Sequence, residues 1–353
     1  MARLLQTAIA ASGHQVELVS NFRSWDGSGD AARQRRLRDI GTRIAHRLVS
    51  AYSSAGRQPE LWFTYHVYHK APDWIGPHVS AALQIPYVVA EASFASKQND
   101  GPWRIGHEQC RMGICTAQAI VSLNRQDDPC LQGLMHPACE LIEIRPFMSL
   151  KEVNAAIADR SMVARKWGAP LSEPWLVCVA MMREGDKLNS FMQLARTLCS
   201  LTDERWHLII VGDGSARSRV AQLFEPVATR VTMTGLLDRD EIFSILKASD
   251  VYVWPAVNEA YGMALLEAQA CGLPVIASAS GGIPQIVEHR LTGLLSRASH
   301  SEMMGRHIRE LLHDPVRGRK MGALAENKCR SQHDLIEASV ALDGLFARLR
   351  RSA

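Results

Sequence analysis

Two glutamates and a glycine carry the strongest chemical signal in the chain. They lie in NEAYGMALLEAQACGLPVIASASGGIP, residues 258–284. DVYVWP (250–255) reads as an apolar strand, and a short loop after it carries Glu259. A helix then starts near Gly262, packed through Leu265, Leu266, Ala268 and Ala270. Gly262 lets backbone approach a ligand closely. The amides of Met263 and Ala264 point out of the helix start, an end that attracts anions such as a diphosphate. Glu267 sits about a turn and a half further in, where a carboxylate can accept two hydrogen bonds from a vicinal diol such as that of a ribose. Glu259 is on the other side of the phosphates, placed to hold hydroxyls of a sugar attached to them. A glutamate pair eight residues apart also occurs on solvated helix faces. The context argues otherwise, because Glu267 lies between Leu266 and Ala268 in a helix that reads as buried, where a lone carboxylate needs a partner.

Further candidates follow other strands. MMREGDK (181–187) comes directly after a buried strand, so Arg183 and Lys187 place two cations at the carboxyl edge of a sheet, where open α/β folds bind ligands. Two exposed loop cations are the plainer reading. VGDG (211–214) is a tight turn containing Gly212. In the first half, FTYHVYHKAPDW (63–74) places His66, His69, Lys70 and Asp73 after a strand end, and VVAEASF (88–94) ends a strand with Glu91. His66 and His69 have a spacing that suits a metal on a helix, but no third ligand is evident, so no metal is expected.

These residues need a scaffold that brings strand ends together, and the pattern supplies one. Apolar runs at 15–20, 61–66, 86–91, 119–124 and 140–146 alternate with helical segments, including a long one at about 30–54. The rhythm lapses over 151–172, a polar stretch broken by Pro170 and read as a linker, and restarts with strands at 175–182, 207–213, 230–235, 250–255 and 274–278. Such alternation implies βαβ units and parallel sheets. The expected organisation is a first Rossmann-like domain over 1–150, a second over 173–332 and a final helix over 333–353 crossing back. The first half begins with a helix, so its initial strand and glycine-rich loop, roughly 20–30 residues, are expected to be missing.

Composition narrows the classes. In 353 residues the net charge is +4, hydrophobic residues make 47% and charged residues 22%, ordinary values for two globular cores and too weak a charge to imply nucleic acid. No stretch approaches the ~20 apolar residues of a membrane span, and the start lacks a signal-peptide pattern. Eight cysteines without a CxxC pair read as reduced thiols of a cytoplasmic protein. Arg33, Arg35, Arg36, Arg38, Arg43 and Arg47 share one helix, most simply a solvated face and alternatively a contact for the anionic inner membrane surface.

The segment 258–284 resembles the signature of retaining nucleotide-sugar glycosyltransferases of GT-B fold, specifically family 4. The matching residues are Glu259, Glu267, Ala268, Gly272, Pro274 and Val275, followed by Gly281-Gly282-Ile283-Pro284, with Gln285 where the family usually has Glu, and by the turn Thr292-Gly293-Leu294-Leu295. The resemblance runs in order through most of 175–330. It implies two doubly wound domains facing a cleft and metal-independent, cofactor-free hexosyl transfer to an acceptor hydroxyl. The donor is a UDP- or GDP-linked sugar, and the acceptor a glycan, a lipid-linked glycan or a small molecule. Glu267, Gly262, Met263, Ala264 and Gly212 then bind the donor, Arg183 and Lys187 neutralise its diphosphate and Glu259 positions its sugar. Related enzymes often carry a His just past the strand ending at Glu91. Ala92 and Ser93 stand there, leaving His66 and Glu91 as the acceptor-side candidates. A GT-B epimerase or hydrolase and a non-catalytic nucleotide-binding remnant are the alternatives.

Overall fold

The computed structural model describes residues 1–56, 58–297 and 301–352. The chain forms two α/β units, one comprising Met1–Arg145 with the chain from Ile336 onward, the other Pro146–Leu335.

The first unit is built on four parallel strands in the order β1 (Trp62–Val67), β2 (Tyr87–Ala92), β3 (Ala119–Ser122) and β4 (Glu140–Glu143). Strands buried on both faces read as continuous apolar runs, and Val88, Val89, Ile120 and Val121 are fully buried. The helix Gly76–Leu83 turns the chain from β1 into β2. Asp73 sets its start by accepting from the amides of Ile75 and Gly76, both at 2.8 Å, and also takes the Tyr87 hydroxyl at 3.0 Å. The basic helix is Ala31–Ala55, capped by Asp30, and all six of its arginines named above are exposed. The helix Leu335–Ser352 docks on this unit through Arg348 to Glu140 at 2.9 Å and Phe346 against Phe63.

The expected strand at 15–20 does not form. Val16 and Leu18 are 38% and 67% exposed, and no strand among the described residues pairs with the outer edge of β1. A strand exists only through its ladder. Here a cavity of about 930 Å³ has both segments in its walls, with Val16, Leu18, Phe22, Phe63 and Phe346.

The second unit has six parallel strands: β5 (Trp175–Val179), β6 (His207–Val211), β7 (Val231–Gly235), β8 (Val251–Trp254), β9 (Val275–Ser278) and β10 (Gly293–Ser296). Their order is β10-β9-β8-β5-β6-β7. The chain runs outward from β5 to β7, then returns to β8 and proceeds the other way, so the switch point lies between β5 and β8, where ligands bind at the carboxyl ends. The segment expected as a turn at 292–295 is instead the edge strand β10, in register with β9 from Gly293 opposite Val275.

The stretch read as a linker also differs. It carries the helices Leu150–Ala155 and Arg160–Trp167, whose Val153, Val163 and Ala164 join the core of the second unit. Local signals explain them. Ser149 and Asp159 accept from the amides of Lys151 and Met162, and Gly168 stops the second helix at φ 69°. The helices are short and half solvated, which makes the sequence polar without making it unstructured.

Candidate functional site

The loops leaving β5 and β6 are laced together. Met182 N donates to Asp213 O at 2.8 Å, and Ala216 N donates to Met182 O at 2.9 Å. Gly212 permits this approach, because a Cβ on it would lie 2.0 Å from Ala180 O and its φ is 137°. The glycine expected to meet a ligand thus shapes the floor on which the next loop rests.

That loop ends at Gly185, where the helix Asp186–Cys199 begins. Lys187 hydrogen bonds Glu259 at 2.5 Å, with the two side chains only 17% and 20% exposed and the ammonium 5.5 Å from the Trp254 ring. Two candidates 72 residues apart in sequence are therefore in direct contact. The Glu259 loop is held from both sides. Val257 N donates to Ser190 Oγ at 3.0 Å and Asn258 Nδ2 to Asp186 Oδ1 at 3.1 Å. Opposite, Gly282 N donates to Ala260 O at 3.0 Å, and a Cβ on Gly281 would lie 1.9 Å from Glu259 O. Ala256 and Asn258 take left-handed φ of 55° and 48° to make the bend. Arg183, in the preceding loop, is exposed and makes no ion pair among the described residues.

Gly262, at φ 70°, is the cap of the helix Met263–Ala270, and its carbonyl accepts from Leu265 and Leu266. Met263 and Ala264 have no preceding turn to bond, so their amides form the anion-attracting end. Glu267 lies in the same helix, 17% exposed, and its partner is Arg239 at 3.2 Å. Arg239 also binds Glu152 and stacks over Phe243. Burial pushes the Glu267 carboxyl above its ordinary 4.5, and the Arg239 cation opposes the rise. The sequence requires a partner for Glu267 without naming it. Arg239 is 28 residues away in another helix, and only the packing of the two helices reveals it.

In the first unit, His66 Nδ1 lies 3.0 Å from Glu91 Oε1, joining the two acceptor-side candidates across the ends of β1 and β2. His69 is not on a helix with His66. It follows β1 in a turn closed by Tyr68 and Ala71, so the spacing that suggested a helical metal pair does not apply. Asp73 is a helix cap and Lys70 stacks 4.4 Å over Trp103.

Residues 159–328 match the family described as glycosyl transferases group 1. The chain is 32% identical over 173 residues to a GDP-mannose-dependent monoacylated alpha-(1-6)-phosphatidylinositol monomannoside mannosyltransferase of Corynebacterium glutamicum, covering 47% of this chain and 45% of that one. The chain spans about half the length of the curated relatives it matches. Among solved structures it resembles sucrose-phosphate synthase of Thermosynechococcus elongatus, with TM-score 0.73, 18% identity and coverage of 100% and 93%. It also resembles the Anabaena protein HepE in complex with UDP, with TM-score 0.69, 16% identity and coverage of 87% and 82%. The fold is GT-B, two parallel-sheet α/β units, and the second unit carries the group 1 glycosyltransferase match.

Proposed function

We propose that the chain transfers a hexosyl group from a UDP- or GDP-linked sugar to an acceptor hydroxyl, with retention and without a metal. The observation that carries this reading is the convergence of Lys187, Glu259, Glu267 and the Gly262 helix start at the switch point of the second unit. Glu267 accepts the ribose diol. The amides of Met263 and Ala264, with Arg183 and Lys187, face the diphosphate and stabilise it as it leaves. Glu259 holds hydroxyls of the donor sugar. The bond from the anomeric carbon to the diphosphate breaks, the acceptor oxygen bonds that carbon on the same face, and the acceptor proton passes to the departing diphosphate. Charge neutralisation by lysine, arginine and helix amides is what makes a metal unnecessary in this scheme. A glycan, a lipid-linked glycan or a small molecule serves as acceptor. The reading places the enzyme in the cytoplasm, with the exposed arginines of Ala31–Ala55 available to the inner membrane surface. No helix among the described residues is long and apolar enough to cross a membrane.

A thermal-shift series with UDP, GDP and ADP tests the donor site. A nucleotide at 100 times its Kd adds about 2.7 kcal/mol to the native state. One of the three is expected to stabilise the protein and to leave Glu267→Ala unshifted. No response to any of them would overturn the reading.

The same assay has an expected pH dependence. The diol needs the Glu267 carboxylate, and burial makes that form harder to keep. Nucleotide affinity is therefore expected to fall as pH falls through a value above the ordinary 4.5 of glutamate. Affinity that holds constant down to pH 4.5 would contradict the assignment of Glu267.

A further inference from the structure

The cavity of the first unit is lined by one strand and by one segment with the pattern of a strand. Trp62 N donates to Pro86 O at 2.9 Å, so the alternation along β1 turns the backbone groups of Phe63 and Tyr65 away from β2. No strand among the described residues receives them. The segment 15–20 shares the cavity of about 930 Å³ with β1 and forms no strand of its own. Its Glu17 accepts from the Tyr52 hydroxyl, which ties it to the helix Ala31–Ala55 rather than to β1. The volume suits about six residues at native packing density, and β1 has six. Leu5 and Ile9 of the helix Ala2–Ala11, Phe346 of the last helix, and Trp74 and Ile75 give the cavity an apolar lining. Its carboxylates are Glu17, Glu60 and Asp73, against the single guanidinium of Arg350, which Glu60 already holds at 3.3 Å.

The geometry points to a strand-accepting site: an extended segment of another polypeptide, apolar in its body and basic at its flanks, enters this cavity and pairs its backbone with Phe63 and Tyr65. In strand addition the main-chain hydrogen bonds supply affinity, and the pockets for side chains supply selectivity. The apolar body follows from the lining, since a strand covered on both faces reads as a continuous apolar run. The basic flanks follow from the excess of carboxylates. An acyl chain would also fill apolar volume, but it would leave the Phe63 and Tyr65 groups without partners once water is displaced, and backbone groups removed from water need partners. The inference concerns the first unit alone and does not depend on the transfer reading.

The test is amide hydrogen exchange in the full ¹⁵N-labelled chain. The probe is a peptide as long as β1, valine throughout, with a lysine added at each end. At ten times the Kd found by titration about one chain in ten stays free, so the Phe63 and Tyr65 amides are expected to exchange about tenfold more slowly. Val177, in the second unit, is the reference amide and is expected to be unaffected. The same peptide N-methylated at every valine keeps its charge and apolar surface but cannot donate to a ladder. Decylamine is an apolar cation with no backbone at all. Both are expected to leave exchange unaltered. Glutamate in place of the two lysines is expected to weaken binding about tenfold, the combined worth of two exposed charge reversals. A valine peptide without effect up to its solubility would overturn the proposal. So would equal slowing by the N-methylated peptide, slowing by decylamine, or a glutamate-flanked peptide that binds as tightly as the lysine-flanked one.

Discussion

Replacing Lys187 with methionine is expected to lower turnover of the sugar donor by about 10²- to 10³-fold, the usual cost of removing one preorganised donor from a charge that develops in the transition state. The side chain is well placed for such a role. It is 17% exposed, rests near the face of Trp254 and already holds a carboxylate, so it enters the reaction partly desolvated, where a cation acts most strongly. In the free protein the carboxylate of Glu259 occupies it. In the proposed scheme donor binding shares or exchanges that contact, with the diphosphate taking the ammonium and the sugar hydroxyls taking Glu259. Methionine keeps a flexible apolar stem of similar length and removes the charge. Loss of the pair also leaves Glu259 without its cation, which is a stability effect to be separated from the kinetic one. The double variant Lys187→Met, Glu259→Gln makes that separation, since it removes both charges. Turnover in the double variant at or below that of Lys187→Met, with the wild-type melting temperature regained, is the expected result. Recovery of turnover in the double variant would show that Lys187 serves only to neutralise Glu259.

Gly281→Ala is the second substitution with a large expected effect, about 2–4 kcal/mol of stability lost in urea denaturation together with most of the donor turnover. The new methyl would lie 1.9 Å from the carbonyl oxygen of Glu259, a backbone atom that cannot swing aside as a side chain would, and the φ of 53° adds its own strain. Only a shift of one loop away from the other relieves the contact, and that shift carries Glu259 out of place. Gly168→Ala is the matched control. Its φ is 69° and nothing lies within 4 Å of the added methyl, so it isolates the conformational cost of about 1–2 kcal/mol without displacing a neighbour. Equal losses in the two variants, or Gly281→Ala with full turnover, would show that the apposed loops do not position Glu259.

Much of the fold is legible in the sequence. Doubly buried parallel strands leave unbroken apolar runs, so β2, β3, β5, β6, β8 and β9 could be read off with boundaries near those observed. The glutamate pair around Gly262 was legible for a different reason: a strand, a loop and a helix start in immediate succession fix where those side chains fall. Contacts between distant segments were not legible. Nothing near Glu267 announces Arg239, and Lys187 with Glu259 could be placed on the same sheet edge but not in the same hydrogen bond. Short helices begun by Ser149 and Asp159 were hidden because a polar surface helix of six to eight residues has no apolar stripe to show. The segment at 15–20 failed in the opposite direction. Its alternating pattern is that of a strand, but pattern supplies only half of a ladder, and the described residues offer no second half.

The outer edge of β1 has a consequence for how this chain behaves in a crowded solution. No described strand pairs with that edge, and an unpaired parallel strand carries a row of amides and carbonyls that can be satisfied by another molecule's backbone. Leu18, 67% exposed, lines the same cavity as Trp62, Phe63 and Thr64 of β1. Glu17, Glu60 and Arg350 line that cavity as well, and charges beside an edge strand discourage association without preventing it. Purification yield should therefore depend on concentration and salt in the way of proteins that exchange strands between copies, and polydispersity would trace to this unit while the second unit stays intact.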